Sequence, residues 1–246
     1  MRWFERLFRQ KPVAVVTLPP DGVEPRGFHG KNAFADQFNL LGSDIRVVFD
    51  VGANTGQTTE RYLELFPEAM IYGFEPFPEA YTQFSGTFAQ HSRVKAYHLA
   101  IADAVGSCAL HTYTNSVTNS LLPPDSESHR FVAAGQMDHT GVITAETTTI
   151  DEFCHRENIK RINILKFDIQ GGEGKALRGA ADTLRARRVD LIYTEMMFVP
   201  VYQGQYWFFN IAADLHHYGY RLFDFYNFAY AETGQLKWGD AIFLPT

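Results

Sequence analysis

The chain of 246 residues is short of several things, and each shortage narrows what it can be. Its two cysteines, Cys108 and Cys154, are too few for a disulfide scaffold and too far apart for a Cys-x-x-Cys zinc or redox pair, so both read as free thiols. No apolar run approaches the roughly 20 residues that span a bilayer, and no apolar section with a small-residue cleavage site marks a signal peptide. A soluble, cytoplasmic protein is the expectation. Positive charge is scarce as well: 22 Lys and Arg against 28 Asp and Glu leave a net charge of -6, which argues against a groove that tracks a nucleic acid backbone.

What is present begins with length enough to bury a sizeable core as one large domain. At the N-terminus Trp3, Phe4, Leu7 and Phe8 can share one side of a short helix ringed by Arg2, Arg6, Arg9 and Lys11. That side could rest on an anionic membrane surface through residues 2–11, or pack on its own domain or a neighbouring subunit, which leaves a homo-oligomer open. Residues 12–30 are rich in proline and glycine and read as a loop, so the chain divides into an N-terminal helix and linker over 1–30 and a single domain over 31–246.

The domain reads as alternating strands and helices. Ile45, Val47, Val48 and Phe49 form a buried strand, Gly52 to Gly56 a turn, and Gln57 to Phe66 a helix. A strand over Ala69–Phe74, a helix from Pro78 to about Gln90 and a strand over Val94–Leu99 follow, with Pro78 suited to a first helical position. Cys108–Tyr113 reads as a strand or hairpin arm. Residues 114–146 show no sustained period and read as a variable lid or binding insertion. Beyond them lie a helix over Ile150–Glu157, a strand over Ile162–Phe167, a helix from about Glu173 and a strand over Val189–Thr194. A helix over Tyr206–Tyr218 and strands at Tyr220–Phe225 and Lys237–Leu244 complete the order. Such alternation predicts an α/β fold with a mostly parallel sheet covered by helices on both faces.

Asp50-Val51-Gly52-Ala53-Asn54-Thr55-Gly56 stands between a buried strand and a helix. Gly52 and Gly56 let the backbone turn tightly beside a ligand, and Asp50 can accept from a ligand ammonium or order the loop. The glycines are spaced Gly-x-x-x-Gly, with Asn54 where a nicotinamide-binding Gly-x-Gly-x-x-Gly loop needs glycine, so an NAD-dependent oxidoreductase is the weaker reading. Glu75, directly after the second strand, can hold the hydroxyls of a nucleoside ribose, or serve as a helix-start charge beside Pro76 and Pro78. Asp103 can accept from an adenine amino group or simply make a turn.

These pieces resemble the FkbM family of methyltransferases, in the Rossmann-like class I group that uses S-adenosylmethionine. The resemblance is carried by Val48 to Gly56 and Phe74-Glu75-Pro76-Phe77-Pro78, then by Thr149-Ile150-Asp151-Glu152-Phe153, Ile164 to Gly171, Glu173 and Leu177-Arg178-Gly179-Ala180. It runs from about residue 45 to the C-terminus. It implies a seven-stranded sheet with one antiparallel strand near its C-terminal edge. It also implies S-adenosylmethionine as cofactor and methyl transfer, commonly to oxygen of a sugar or hydroxylated natural product. The family tract Lys-x-Asp-x-(Gln or Glu)-Gly-x-Glu is met here with Gly172 before Glu173 and Gly174 after it, predicting a smaller and more mobile segment beside the acceptor.

On that reading the donor contacts are Asp50, Gly52, Ala53, Asn54, Thr55, Gly56, Glu75, Asp103 and Asp168. The cofactor carries its own electrophile, so the protein needs to align an acceptor oxygen and receive its proton. Asp168 and Glu195, each after or at the end of a strand, are the leading catalytic candidates, with Lys166 on the same strand face as Asp168 and His139 in the variable segment as a further base. Two acids at separate strand ends are weak evidence for a metal, and catalysis without one is expected. Tyr202, Gln203, Tyr206 and Trp207 are the candidate acceptor wall, since aromatic faces with polar edges suit a cyclic acceptor. A protein that binds S-adenosylmethionine without turnover is the alternative from another class.

Overall fold

Continuous apolar runs form the central strands because the sheet is buried on both faces. The computed structural model describes residues 32–246; the helix, membrane face and loop expected in residues 1–30 lie outside the described residues. Strand β1 spans Val47–Val51, β2 Met70–Phe74 and β3 Val94–Tyr97, with helices α2 (Gln57–Leu65) and α3 (Pro78–Thr87) as crossovers. The second half holds α4 (Ile150–Arg156), β7 (Ile162–Phe167), α5 (Glu173–Arg178), α6 (Ala181–Arg185), β8 (Val189–Met197), α7 (Phe208–His217), β9 (Tyr220–Tyr230) and β10 (Leu236–Pro245). Along β1, Phe49 and Val51 enter one apolar cluster while Val48 enters another, so successive side chains fill opposite faces.

The seven strands run in the order β3-β2-β1-β7-β8-β10-β9. They are parallel except β10, which is antiparallel to β8 and to β9. This is the expected mostly parallel seven-stranded sheet, and its order reverses between β1 and β7. In an open α/β sheet that switch point opens a crevice at the carboxyl ends of the strands.

Two features depart from the sequence reading. A second, three-stranded sheet is built from β4 (Ala100–Ile101), β6 (His139–Thr148) and β5 (Gly106–Tyr113), so the irregular stretch is 114–138 and not 114–146. The alternation in β6 is real but weakly apolar. Gly141, Ile143, Ala145 and Thr147 are the more covered positions, while Val142 faces solvent, so hydropathy gives no period of two. Before β1 lies an unforeseen helix α1 (Ala33–Leu41), capped by Asn32, whose side chain accepts from the amides of Phe34 and Ala35. It is held through Phe34 against the rings of Tyr62 and Tyr193 and by the Tyr226 hydroxyl, which donates to Asp36.

Candidate functional site

At the switch point the backbone after β1 turns so tightly that its first glycine admits no side chain. Gly52 has φ +79°, and a Cβ there would lie 1.9 Å from the Asp168 carbonyl oxygen. The amides of Gly52 and Ala53 both donate to the Phe74 carbonyl, and Glu75 ties the two loops together by accepting from the amides of Asn54 and Phe77, at 2.8 Å each. Burial is the main reason the Glu75 carboxyl lies above its ordinary pKa, against the pull of those two amides.

Beneath the loop sits a buried ion pair, Lys166 Nζ to Asp50 Oδ1 at 2.9 Å. Lys166 also donates to the Gly52 carbonyl at 2.8 Å, and Thr59 donates to the other Asp50 oxygen at 2.7 Å. Burial pushes the Lys166 ammonium down, but Asp50, Asp168 and Glu75 together hold its pKa above the ordinary value. Asp50 orders the loop from beneath, its carboxylate fully buried and held by Lys166 and Thr59.

A cavity of about 340 Å³ lies over this loop, within the range of small-molecule sites. Gly52, Ala53, Asn54, Glu75, Lys166 and Asp168 line it. Thr55, Gly56 and Asp103 do not. Thr55 and Gly56 lead into α2, and a Cβ on Gly56 would strike the Phe84 and Phe88 rings, so that glycine serves packing. Asp103 pairs instead with Arg178 at 3.0 Å on the surface, which is its turn-residue alternative with an ion pair added. Two cavity residues that were not anticipated, Gln57 and Thr58, are the first residues of α2.

A second cavity of about 500 Å³ adjoins, and Val117, Asp168 and Gln170 line both. Glu195 faces only this one. Its carboxyl is pushed well above the usual range, first by burial and then by Asp168, Glu173 and Asp240. Between the acids lies Gln170, whose side-chain amide donates to Asp168 at 3.1 Å and to Glu195 at 3.0 Å. Glu173, buried at the start of α5 (Glu173–Arg178), accepts from the Ile169 amide and has its pKa pushed up to about 7, chiefly by burial.

The four residues expected to form an acceptor wall have different surroundings, and one of them lines the second cavity. Tyr202 lines the second cavity, but Gln203 is exposed and donates to the Pro124 carbonyl. Tyr206 lays its ring over Gly174, and its hydroxyl accepts from Arg178. Trp207 precedes α7 and stacks on Phe209. The large aromatic of the cavity is Trp238 on β10, with the Lys237 ammonium 4.1 Å from its ring centre. Antiparallel pairing brings Trp238 opposite Met197 of β8, a placement that only the register reveals. His139 is exposed at the start of β6, beside Tyr113 and His111, and lines neither cavity. The space left by the missing side chain of Gly174 is the seat of the Tyr206 ring. Among the described residues no group of three or more His, Cys, Asp or Glu side chains could hold a metal ion, and no helix is long and apolar enough to cross a membrane.

A sheet in this order, with one strand reversed and a glycine turn and acid at its switch point, has the arrangement of a Rossmann-like methyltransferase, and a family-model match makes the chain one that uses S-adenosylmethionine. Within that class the chain belongs to the FkbM methyltransferases: the model for the methyltransferase FkbM domain matches residues 50–222. It is 27% identical over 174 residues to the 2-O-methyltransferase NoeI of Sinorhizobium fredii, covering 68% of this chain and 70% of that protein. It is 28% identical over 149 residues to Methyltransferase 1 of Beauveria bassiana, covering 56% of this chain and 60% of that one. Among solved structures, the 1,6-didemethyltoxoflavin-N1-methyltransferase of Burkholderia thailandensis is similar at 12% identity and a TM-score of 0.45, over 87% of this chain and 76% of that one. The residues present fit the cofactor: the cradle at Gly52 is closed to any side chain, and the buried Glu75 carboxylate faces the same cavity.

Proposed function

We propose that this methyltransferase acts in the cytoplasm on a hydroxyl of a sugar or hydroxylated small natural product, forming a methyl ether. The observation that carries the reading is the shared wall: Asp168 and Gln170 border both cavities, so a donor in one and an acceptor in the other meet at that wall. The printed name of the Sinorhizobium relative, a 2-O-methyltransferase, supports oxygen as the acceptor atom. S-adenosylmethionine, when bound, supplies a methyl on cationic sulfur, so no protein nucleophile is needed.

The chain's own residues then have three tasks. Gly52, Ala53, Asn54 and Glu75 would hold the nucleoside part of the donor, with Lys166 and Asp50 fixing the loop from below. Trp238, Met197, Val132 and Met137 offer apolar surface for the acceptor body and keep water from it. Asp168 and Glu195 orient the hydroxyl and take up its proton. His139 has no part in this arrangement, because it borders neither cavity.

A panel of hydroxylated sugars and cyclic natural products, incubated with donor carrying a deuterated methyl, tests the reading. A labelled methyl ether in the product is expected, and Glu195→Gln should lower kcat about 100-fold while donor affinity stays within twofold. Label found only on nitrogen, or on a carboxylate as a base-labile ester, would overturn it.

A further inference from the structure

Gln170 stands at the meeting point of both cavities in an unusual backbone conformation. Its φ is +54°, in the left-handed region that a non-glycine residue seldom adopts, and Gly171 follows at +87°. The position is held from two sides: Ser120 donates to the Gln170 carbonyl at 2.6 Å, and the Tyr202 hydroxyl lies 3.0 Å from Gln170 Oε1. Tyr202 is almost wholly buried, and its hydroxyl is also 2.8 Å from the Thr118 carbonyl. Ionised carboxylates can only accept, and the amide carries its hydrogens on nitrogen, so the nitrogen is the end turned to the acids. It donates to Asp168 Oδ1 and Glu195 Oε2 together.

The two acids are not equivalent. Asp168 faces the Lys166 ammonium at 4.0 Å, whereas among the described residues no ammonium or guanidinium lies within that distance of Glu195. Around Glu195 stand Asp168 and Lys166 from β7 and the turn after it, Glu173 from α5, Asp240 from β10 and the Tyr202 hydroxyl. Most of these disfavour its ionised form. A donated N–H favours that form, and Gln170 supplies one.

Resting on the proposed O-methylation, we propose that Gln170 is a positioning residue that keeps Glu195 ionised and turned toward the acceptor hydroxyl, so that Glu195 is the base. In the step, an acceptor oxygen lone pair forms the bond to the methyl carbon while the carbon–sulfur pair returns to sulfur. The hydroxyl proton passes to the Glu195 carboxylate and leaves to solvent after product release. Atoms and charge balance with S-adenosylhomocysteine, methyl ether and one proton as products. Asp168 stays beside Lys166 and faces the donor.

The test uses the full chain with S-adenosylhomocysteine, so it needs no acceptor. Carboxyl carbons and side-chain amides are followed by NMR against pH, with Glu195 assigned from Glu195→Gln. In the unaltered protein the Gln170 side-chain amide protons should shift with the same midpoint as Glu195. Gln170→Met should raise the Glu195 midpoint by about one pH unit, the worth of one hydrogen bond to a charged group. Gln170→Glu, which keeps the side-chain shape, should raise it as well, with both variants measured at saturating S-adenosylhomocysteine. Amide protons blind to the Glu195 titration, or a midpoint unmoved in both variants, would overturn the proposal. The first of these readouts needs no variant to fold. Failure of the unaltered protein to bind S-adenosylhomocysteine would instead sink the donor-site reading, and the amide titration would still decide the role of Gln170.

Discussion

A single added methyl at Gly52 would meet the Asp168 carbonyl at 1.9 Å in a backbone conformation that already disfavours side chains. Gly52→Ala is therefore expected to move the loop, lowering S-adenosylhomocysteine affinity at least tenfold by calorimetry. Lys166 raises a different issue, because its partner Asp50 is completely buried. Lys166→Met leaves that carboxylate unpaired and should cost about 3–5 kcal/mol in urea unfolding, with much of the loss recovered when Asp50→Asn is added. Glu173 carries the opposite sign. Its carboxyl titrates near 4.5 when exposed and at about 7 when folded, so the folded chain holds that proton more tightly. Its contribution to stability is full below pH 4.5 and is lost as pH rises through 7, a change of about 3 kcal/mol. Glu173→Gln keeps an acceptor for the Ile169 amide. It should match the parent near pH 4.5 and exceed its stability at pH 8; an equal gap at both pH values would reject the account.

At the scale of elements, α5 and the strap before α7 are locked by a missing side chain. A Cβ on Gly174 would fall 2.3 Å from the Tyr206 ring, so Gly174→Ala should destabilise by about 1–3 kcal/mol. The same change on a Tyr206→Ala background should cost much less, and a double-mutant cycle showing no coupling would reject the contact. This pair also shows how far the sequence could be read. Gly174 is visible as a departure from the family tract, but what fills the space it leaves comes from residue 206, which the tract does not contain. The strands and crossover helices were legible because apolar runs and turn residues report local structure. Helix α1 was not, as its hold on the sheet comes from Tyr62, Tyr193 and Tyr226, distant in the chain. Likewise Asp50, Glu75 and Asp168 stood out at strand ends, whereas Trp238 joins the second cavity only through the pairing of β10 with β8.

For the molecule as a whole, raised acids collect at one end of the sheet. Glu75, Glu173, Glu195 and Asp240 all hold protons above their ordinary range, each led by burial. A cationic sulfur bound in the first cavity would favour ionised carboxylates around it, so donor binding should expel protons, whereas the neutral sulfur of the demethylated product would do so less. The affinity ratio of S-adenosylmethionine to S-adenosylhomocysteine is therefore expected to rise with pH through the range in which these raised acids lose their protons, up to tenfold for each unit by which the bound cation lowers a carboxyl pKa. Calorimetry in buffers of differing ionisation heat measures the proton release directly. The two ligands share every group except the methyl and its charge, so a ratio flat with pH would mean that the raised acids do not sense the sulfur. A rising ratio that flattens in Glu75→Gln would assign the response to the donor cavity, and one that flattens only in Glu195→Gln would assign it to the adjoining second cavity.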